Sequence, residues 1–505
     1  MFSGLVSSPA RLAAVSAAKL GLLSSLVAVL AVSGCGESPQ PKFVVGESTL
    51  KLYRPAQRAV EAELVKDFGE PNRPVVWQKL PVDFGAFDGV VEETAQNFSD
   101  PVKIKLTRKA DSKIPMAADD LRSAGLIWTT GANSDATAWD QKGREVHLDY
   151  EVGHYDPETS KLSVRVTPAL AGEKGKLDPP KAGDKFAVLG PMLQQGHKLY
   201  MTHCEHCHGV SGDGKGPTGG YFDIKPRDYR LGRFKFTSTK SNDRARRDDL
   251  VRTIRQGIPG TYMPSFLLFK DEEIGPIVEY IRWLAIRGEF EEKSDAEFAN
   301  GQYTAEDVKQ RQAGESREAI ETALDNYIKS EYPAVADDLA ERIGGSWTAA
   351  EQPDALVTPK IARTADTVES RERGRKLFHS DTAKCAQCHG PAGKGDGPQT
   401  EDYQVILGTN KKRTVPGLFD DWGNPIKPRD LTSGIYRGGR RPLDVYRRIY
   451  SGIKGTPMPP FGTALKDEEI WDIVNYAMSL PYGSESGVPE MNQSKIASAS
   501  PVGGG

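Results

Sequence analysis

The sequence predicts a mainly α protein built on one unit used twice, preceded by an N-terminal region of β character. Three observations predict it. A pentapeptide of the form C-x-x-C-H occurs twice, as Cys204-Glu205-His206-Cys207-His208 and Cys385-Ala386-Gln387-Cys388-His389. Five further segments recur around both copies in the same order. Upstream of the first copy, Val146, Leu148, Tyr150 and Val152 alternate with polar residues, as do Leu162, Val164 and Val166, the period of a strand with one buried face.

The first 35 residues stand apart. Arg11 and Lys19 precede an apolar run from Leu20 to Val32, which ends in Val32-Ser33-Gly34-Cys35. A basic start, an apolar stretch too short for a membrane span and small residues before a cut describe a secretory leader, residues 1–35. Val-Ser-Gly-Cys resembles a lipobox, so the expected mature chain begins at an acylated Cys35. Residues 36–185 read as a tether followed by an accessory domain. The two alternating stretches flank Asp156-Pro157-Glu158-Thr159-Ser160, a hairpin signature. Trp77, Trp128 and Trp139 are expected to form a small core. His147 and His154 fit a structural or exposed role better than a metal role.

C-x-x-C-H is the attachment signature of c-type haem. Two cysteines three apart reach the two vinyl groups of one porphyrin, and the adjacent histidine offers an imidazole to the iron. Chance would give one copy in roughly one chain per thousand of this composition. A zinc site would need two more Cys or His ligands per motif, and no cysteine after Cys35 remains free. The expected cofactors are therefore two covalent haems c, one on Cys204 and Cys207 with His208, the other on Cys385 and Cys388 with His389.

The first unit spans residues 186–286. A short helical pattern leads into Cys204, and a glycine-rich loop from Gly209 to Pro217 follows the motif. Ile224-Lys225-Pro226-Arg227-Asp228 comes next, then Gly257-Ile258-Pro259-Gly260-Thr261-Tyr262-Met263-Pro264. Asp271-Glu272-Glu273 opens the closing helix, where acids suit the positive end of the dipole. Met263, held in a Gly/Pro-rich loop, is the best candidate for the second axial ligand. Met192 and Met201 are the competing sulfurs, and Met201 lies too close to Cys204 to reach the opposite face.

Residues 287–365 form an acidic helical linker, broken by Gly344-Gly345 and by prolines 353 and 359. Residues 366–485 repeat the first unit. Gly374-Arg375-Lys376-Leu377-Phe378 echoes Gly196 to Tyr200, Ile426 to Asp430 repeats Ile224 to Asp228, and Gly452 to Phe461 repeats the methionine loop with Met458 in place of Met263. A longer segment separates Pro398 from Pro428, 30 positions against 9 from Pro217 to Pro226. Residues 486–505, rich in Gly and Ser, read as a disordered tail.

Each unit resembles a class I c-type cytochrome domain, with its leading helix, C-x-x-C-H, methionine loop and closing helix. The resemblance implies that His208 and Met263 are axial ligands of one iron, and His389 and Met458 of the other. It also implies that a proline carbonyl, from Pro217 or Pro226 and from Pro398 or Pro428, accepts a hydrogen bond from each ligand imidazole. Bacterial haem attachment of this type occurs outside the cytoplasm, which agrees with the leader. The implied function is single-electron transfer in an exported or membrane-bound respiratory chain, as carrier or as subunit of a larger redox complex. The implied partners are a quinol- or dehydrogenase-side donor, an oxidase-side acceptor and the periplasmic side of a membrane reached through a lipid anchor, with no nucleic acid. A dihaem enzyme such as a peroxidase is the alternative, and it needs one haem with an open face.

Charge is segregated. Residues 221–256 hold 11 Lys+Arg against 5 Asp+Glu, and residues 411–454 hold 11 against 4. Residues 287–370 hold 19 Asp+Glu against 9 Lys+Arg. The basic stretches, with Arg244, Arg246 and Arg247 foremost, are expected either to face an acidic redox partner or to pair with haem propionates and the acidic linker.

The leader gives the first prediction. Cys35→Ser should leave haem incorporation unchanged and move the protein out of the membrane fraction, because stable anchoring needs more than one lipid chain. Fractionation of both forms checks it, and a mutant that stays in the membrane fraction rules out Cys35 as the anchor.

Overall fold

In the computed structural model the described residues are 41–483 apart from 72, 78, 83, 85, 86, 109–123, 135, 140, 142–144, 148, 168, 169 and 407. The leader with Cys35, residues 36–40 and the tail 486–505 lie outside them. Among the described residues no helix is long and apolar enough to cross a membrane.

Helix α1 (Arg54–Phe68) opens with Pro55, where the missing N–H costs nothing, and is followed by Gly69 at φ 73°. Ala56, Val60, Leu64 and Phe68 recur every fourth residue and give it one buried stripe. Six strands follow: β1 (Phe87–Val91), β2 (Val102–Arg108), β3 (Gly125–Trp128), β4 (Asp149–Asp156), β5 (Lys161–Thr167) and β6 (Lys185–Leu189). They close into a barrel with ring order β1-β2-β5-β4-β3-β6, so that no edge is left unpaired. The expected hairpin is β4 and β5, with Tyr150 opposite Val166, Val152 opposite Val164 and a bulge between Val152 and His154. Val146 instead belongs to a small strand pair, Glu145–His147 with Thr137–Trp139, and Leu148 lies outside the described residues.

The first unit contains α2 (Pro191–His203), α3 (Glu205–His208), α4 (Arg247–Gln256) and α5 (Asp271–Asn300). Helix α5 does not stop at residue 286. It runs 30 residues into the linker, which continues as α6 (Ala305–Arg311), α7 (Arg317–Ser330) and α8 (Tyr332–Ala350). The second unit contains α9 (Val368–His379), α10 (Cys385–His389), α11 (Pro442–Ser451) and α12 (Asp467–Ser479).

Three cores result. One is the barrel interior, from Phe87 to Val188, with Trp128 packed edge-on against Phe186 and Tyr150. One belongs to the second unit, from Val357 to Val474. The largest joins α1 and the segment to Phe84 with the first unit and the linker helices. Residues 36–185 therefore contribute to two cores: Trp77 packs with Phe68 and Phe290, Trp128 lies in the barrel, and Trp139 is exposed. Burying Val60, Leu64 and Phe68 contributes about 1.5–3 kcal/mol each.

In each unit the first helix crosses the last at a glycine. A Cβ on Gly196 would come within 3 Å of the Pro276 carbonyl oxygen, and one on Gly374 within 3 Å of the Asp472 carbonyl oxygen. Pro276 cannot donate to the Glu272 carbonyl one turn back, and Gln195 Nε2 takes that place at 3.3 Å. Against expectation, Gly344-Gly345 do not break the linker. They lie inside α8, because Gly344 is where Pro81 rests on the helix.

The basic stretches turn inward. Arg244 pairs with Glu289, Arg247 with Glu279 at 2.7 Å and with Glu351 at 3.6 Å, and Arg246 donates to the Gln352 carbonyl at 3.1 Å. Glu279 and Glu289 are buried on α5, so pairing with the linker, and not a free docking face, accounts for these three arginines.

Two neighbouring glycines provide a paired prediction. Gly344→Ala should cost about 1–3 kcal/mol by overpacking against Pro81. Gly345→Ala, where a Cβ meets nothing within 4 Å, should gain about 0.5–1 kcal/mol in helix stability. Denaturant midpoints of the two variants should move in opposite directions.

Candidate haem sites

Each C-x-x-C-H stretch is one helical turn placed by the helix before it. In the first unit the Cys204 amide closes α2 on the Tyr200 carbonyl at 2.8 Å, and the Cys207 and His208 amides then bond the Cys204 carbonyl at 3.2 and 2.9 Å. The two sulfurs thus sit three residues apart on one face of a turn. Burial pushes the Cys204 and Cys385 thiols up to about 12, so both are neutral.

The glycine loop folds back on the motif identically in both units. The Gly214 amide donates to the His208 carbonyl at 2.9 Å, and the Gly395 amide to the His389 carbonyl at 2.8 Å. Gly214 and Gly395 have φ of 74° and 78°, and a Cβ on either would collide with the carbonyl of Pro226 or Pro428. This close approach carries the chain past the histidines. His389 Nδ1 lies 3.1 Å from the carbonyl oxygen of Arg429. In the first unit His208 Nδ1 is buried without a hydrogen-bond partner. In the second unit the expected proline carbonyl is replaced by that of Arg429, the residue after Pro428, since the Pro428 carbonyl turns toward the glycine loop. Burial lowers His208 to about 4 and also lowers His389, keeping both imidazoles neutral. With its Nδ1–H donated to the Arg429 carbonyl, His389 keeps the Nε2 lone pair for a metal.

The methionine loops also match. Ile258 N–H donates to the Met263 carbonyl and Ile453 N–H to the Met458 carbonyl, both at 3.2 Å. Thr261 Oγ1 donates to the Ile258 carbonyl at 2.7 Å and accepts the Met263 N–H at 3.2 Å. Thr456 does the same at 2.6 and 3.4 Å. The four cysteines, two histidines and two methionines are all partly exposed. Side chains of this apolar and weakly polar kind would normally be buried, so the arrangement suits a flat cofactor lying between motif and methionine loop. Two thiols free to join the vinyl groups, with a neutral imidazole and a methionine thioether for the iron, are the groups that haem c requires.

The units differ behind the histidine. Tyr229 donates to the Tyr200 hydroxyl at 2.6 Å, which donates to the Gly209 carbonyl at 2.7 Å, and the Tyr229 ring stands 5.5 Å from that of His208. Phe378 and Leu431 occupy these places in the second unit. Sequence reasoning missed this pair, whose signal is that both tyrosines change together between copies of the repeat. His154 is exposed, the His147 side chain lies outside the described residues, and among the described residues no group of three or more His, Cys, Asp or Glu could hold a metal ion.

The units dock directly. Arg252 bridges Asp249 and Asp444 at 3.2 Å each, Ser451 Oγ donates to the Thr239 carbonyl at 2.8 Å, and Arg437 donates to the Gly260 carbonyl at 3.1 Å. Lys454, in the second methionine loop, donates to Thr239 Oγ1 at 3.1 Å and to the Asp243 carbonyl, and desolvation lowers its amine to about 8. The longer segment of the second unit also reaches the first, through Asp421 on Arg233 at 2.7 Å.

The cytochrome c family model matches residues 193–285 and 371–481. The chain thus carries two cytochrome c domains, of the kind that bind haem c covalently and transfer electrons, together with a β-barrel region. No curated protein matches it. Among solved structures, a chain of the reducing HAO-like protein complex of Kuenenia stuttgartiensis is 25% identical, covering 57% of this chain and 96% of its own, with a TM-score of 0.39.

The threonines test the loops. Thr261→Val and Thr456→Val should each lower the local opening free energy by about 1–2 kcal/mol. The Ile258 or Ile453 amide should then exchange roughly 5- to 30-fold faster. Exchange of the Gly214 and Gly395 amides should not change.

Proposed function

We propose that the protein is a dihaem c-type cytochrome that passes single electrons in an exported or membrane-bound respiratory chain, as carrier or as subunit of a larger redox complex. One observation carries this reading: both units hold Cys, Cys, His and Met on the same hydrogen-bonded frame, with each of those side chains left partly exposed. Cys204 and Cys207 would hold one haem between His208 and Met263. Cys385 and Cys388 would hold the other between His389 and Met458. When bound, the haem supplies the one-electron iron couple, and methionine ligation raises its potential relative to bis-histidine. The chain's own part is to keep both imidazoles neutral, to orient His389 through the Arg429 carbonyl and to fix each methionine between two loop hydrogen bonds. Rigid axial positions keep reorganisation small during transfer.

No residue in either unit is asked to move a proton or attack a substrate, so the protein is read as a transfer protein and not an enzyme. A peroxidase would need one unit without its methionine loop, and both loops carry the same bonds. The leader and Cys35 support an exported, lipid-anchored location on the periplasmic side, with electron donor and acceptor proteins as partners.

Ligation is the test. The oxidised protein should show the weak long-wavelength band of iron–methionine bonding, and Met263→Ala or Met458→Ala should each remove about half of it. A spectrum left intact by either substitution overturns that ligand.

A further inference from the structure

The repeat carries Arg-x-x-Asp-x-x-Arg twice, as Arg246, Asp249 and Arg252 and as Arg441, Asp444 and Arg447. Each copy opens the helix before a methionine loop, α4 in the first unit and α11 in the second. In both, the aspartate caps its helix in the same way. Asp249 Oδ2 accepts the Arg246 N–H at 3.3 Å, and Asp444 Oδ2 accepts the Arg441 N–H at 3.2 Å. Where the units dock, the two copies meet around one cleft of about 300 Å³. All four arginines line it, together with Asp248, Asp249 and Leu356. Among the described residues no cysteine, histidine or methionine of either haem motif does so.

The buried carboxylates at the cleft are already committed. Arg252 spans Asp249 and Asp444 at 3.2 Å each, Arg441 pairs with Asp444 at 2.9 Å, and Ser238 donates to Asp249 from its N–H and Oγ at 2.8 and 3.0 Å. The other two arginines find only backbone. Arg447 donates from Nε to the Val357 carbonyl at 3.0 Å, and Arg246 from Nη1 to the Gln352 carbonyl at 3.1 Å. Among the described residues neither pairs with a carboxylate. A carbonyl takes a hydrogen bond and leaves the charge uncompensated. Asp248 is the one further acid in the lining, and it is exposed. Two guanidinium groups, one from each unit, thus keep unused N–H donors at the same cleft. The first turns of α4 and α11 add the positive ends of two helices.

We propose that this cleft is a binding site for a phosphate dianion, held between Arg246 of one unit and Arg447 of the other. The site stands apart from the haem contacts and holds whatever the axial ligands are. A guanidinium fork matches two phosphate oxygens in parallel hydrogen bonds, and two forks with a shared anion no longer repel each other. Leu356 is the one apolar side chain in the lining, and no aromatic ring is there to stack on a base. The recognised group is therefore phosphate itself or the phosphate of a small ester. Since the two arginines belong to different units, the bound anion ties the units together, and their docked arrangement gains stability as phosphate rises.

Calorimetric titration of the full-length, haem-loaded protein with inorganic phosphate tests this, with sodium chloride exchanged to hold ionic strength constant. One saturable site per chain is expected. Glycerol 3-phosphate in the same cell separates the two sources: binding like that of phosphate assigns the cleft to phosphate esters, and failure to bind assigns it to the free ion. Nitrate, with one charge, should bind more weakly than phosphate. Arg447→Gln and Arg246→Gln should each weaken phosphate about 10- to 100-fold, the loss of one charge-assisted pairing, with haem content unchanged. Arg447→Lys, which keeps the charge without the fork, should lose less. Lys198→Gln, on the exposed side of α2, should change nothing. No saturable binding to the wild type, nitrate held as tightly as phosphate, or phosphate binding undiminished in both glutamine variants overturns the site.

Discussion

Both cytochrome c domains depend on one contact, the crossing of their first and last helices at a glycine. The attachment motif follows the first helix, directly in the first domain and after Ser380–Lys384 in the second, and the methionine loop precedes the last. The distance at the crossing therefore governs how motif and loop face each other. At Gly196 and Gly374 the only thing between one helix and the other's carbonyl is a hydrogen atom, and any side chain would push the two halves of the site apart. Each crossing is then locked by different polar chemistry. In the first domain Gln195 reaches the carbonyl that Pro276 leaves free. In the second, Asp472 gathers Ser370 and Arg373, and Asn475 bonds Ser370 in turn.

Charge segregation along the chain serves its internal assembly. The basic segment before the first methionine loop meets the acids of α5 and the linker, and Arg252 and Arg233 of the same segment meet Asp444 and Asp421 of the second domain. Several of these carboxylates are buried, where an ion pair is strong only if its geometry and remaining hydrogen bonds are complete. Burial holds Glu289 at about 7 even beside Arg244, and the Trp347 indole gives it a further bond at 2.9 Å.

The site was legible because its chemistry sits in short, ordered segments. The two C-x-x-C-H motifs, the two methionine loops and the β4–β5 hairpin follow from local spacing. What was not legible depends on contacts distant in sequence. Closure of the barrel needs β6 to pair with both β1 and β3, and no pattern within any one strand states that. Helix α1 and the segment after it join the first domain's core across more than 200 residues, the helix through its apolar stripe and the segment through Trp283 Nε1 on the Val75 carbonyl at 2.8 Å. Gly344-Gly345 read as a break because Pro81, the residue that makes a glycine useful there, lies far upstream. The His389 acceptor falls one residue past Pro428 because backbone direction after that proline is set by the glycine loop folded against it.

The length of α5 gives the two copies of the repeat different standing. The second closes with α12, thirteen residues long, and keeps a core of its own. The first has its closing helix extended through Tyr280, Trp283, Phe290 and Phe298, all fully buried, into a core it shares with α1 and α8. The second copy thus closes on an apolar core of its own, and the first is a structural member of a larger body. A substitution on the buried face of the first copy's closing helix therefore disturbs α1 and α8 as well, whereas one on α12 acts on the second copy's own core.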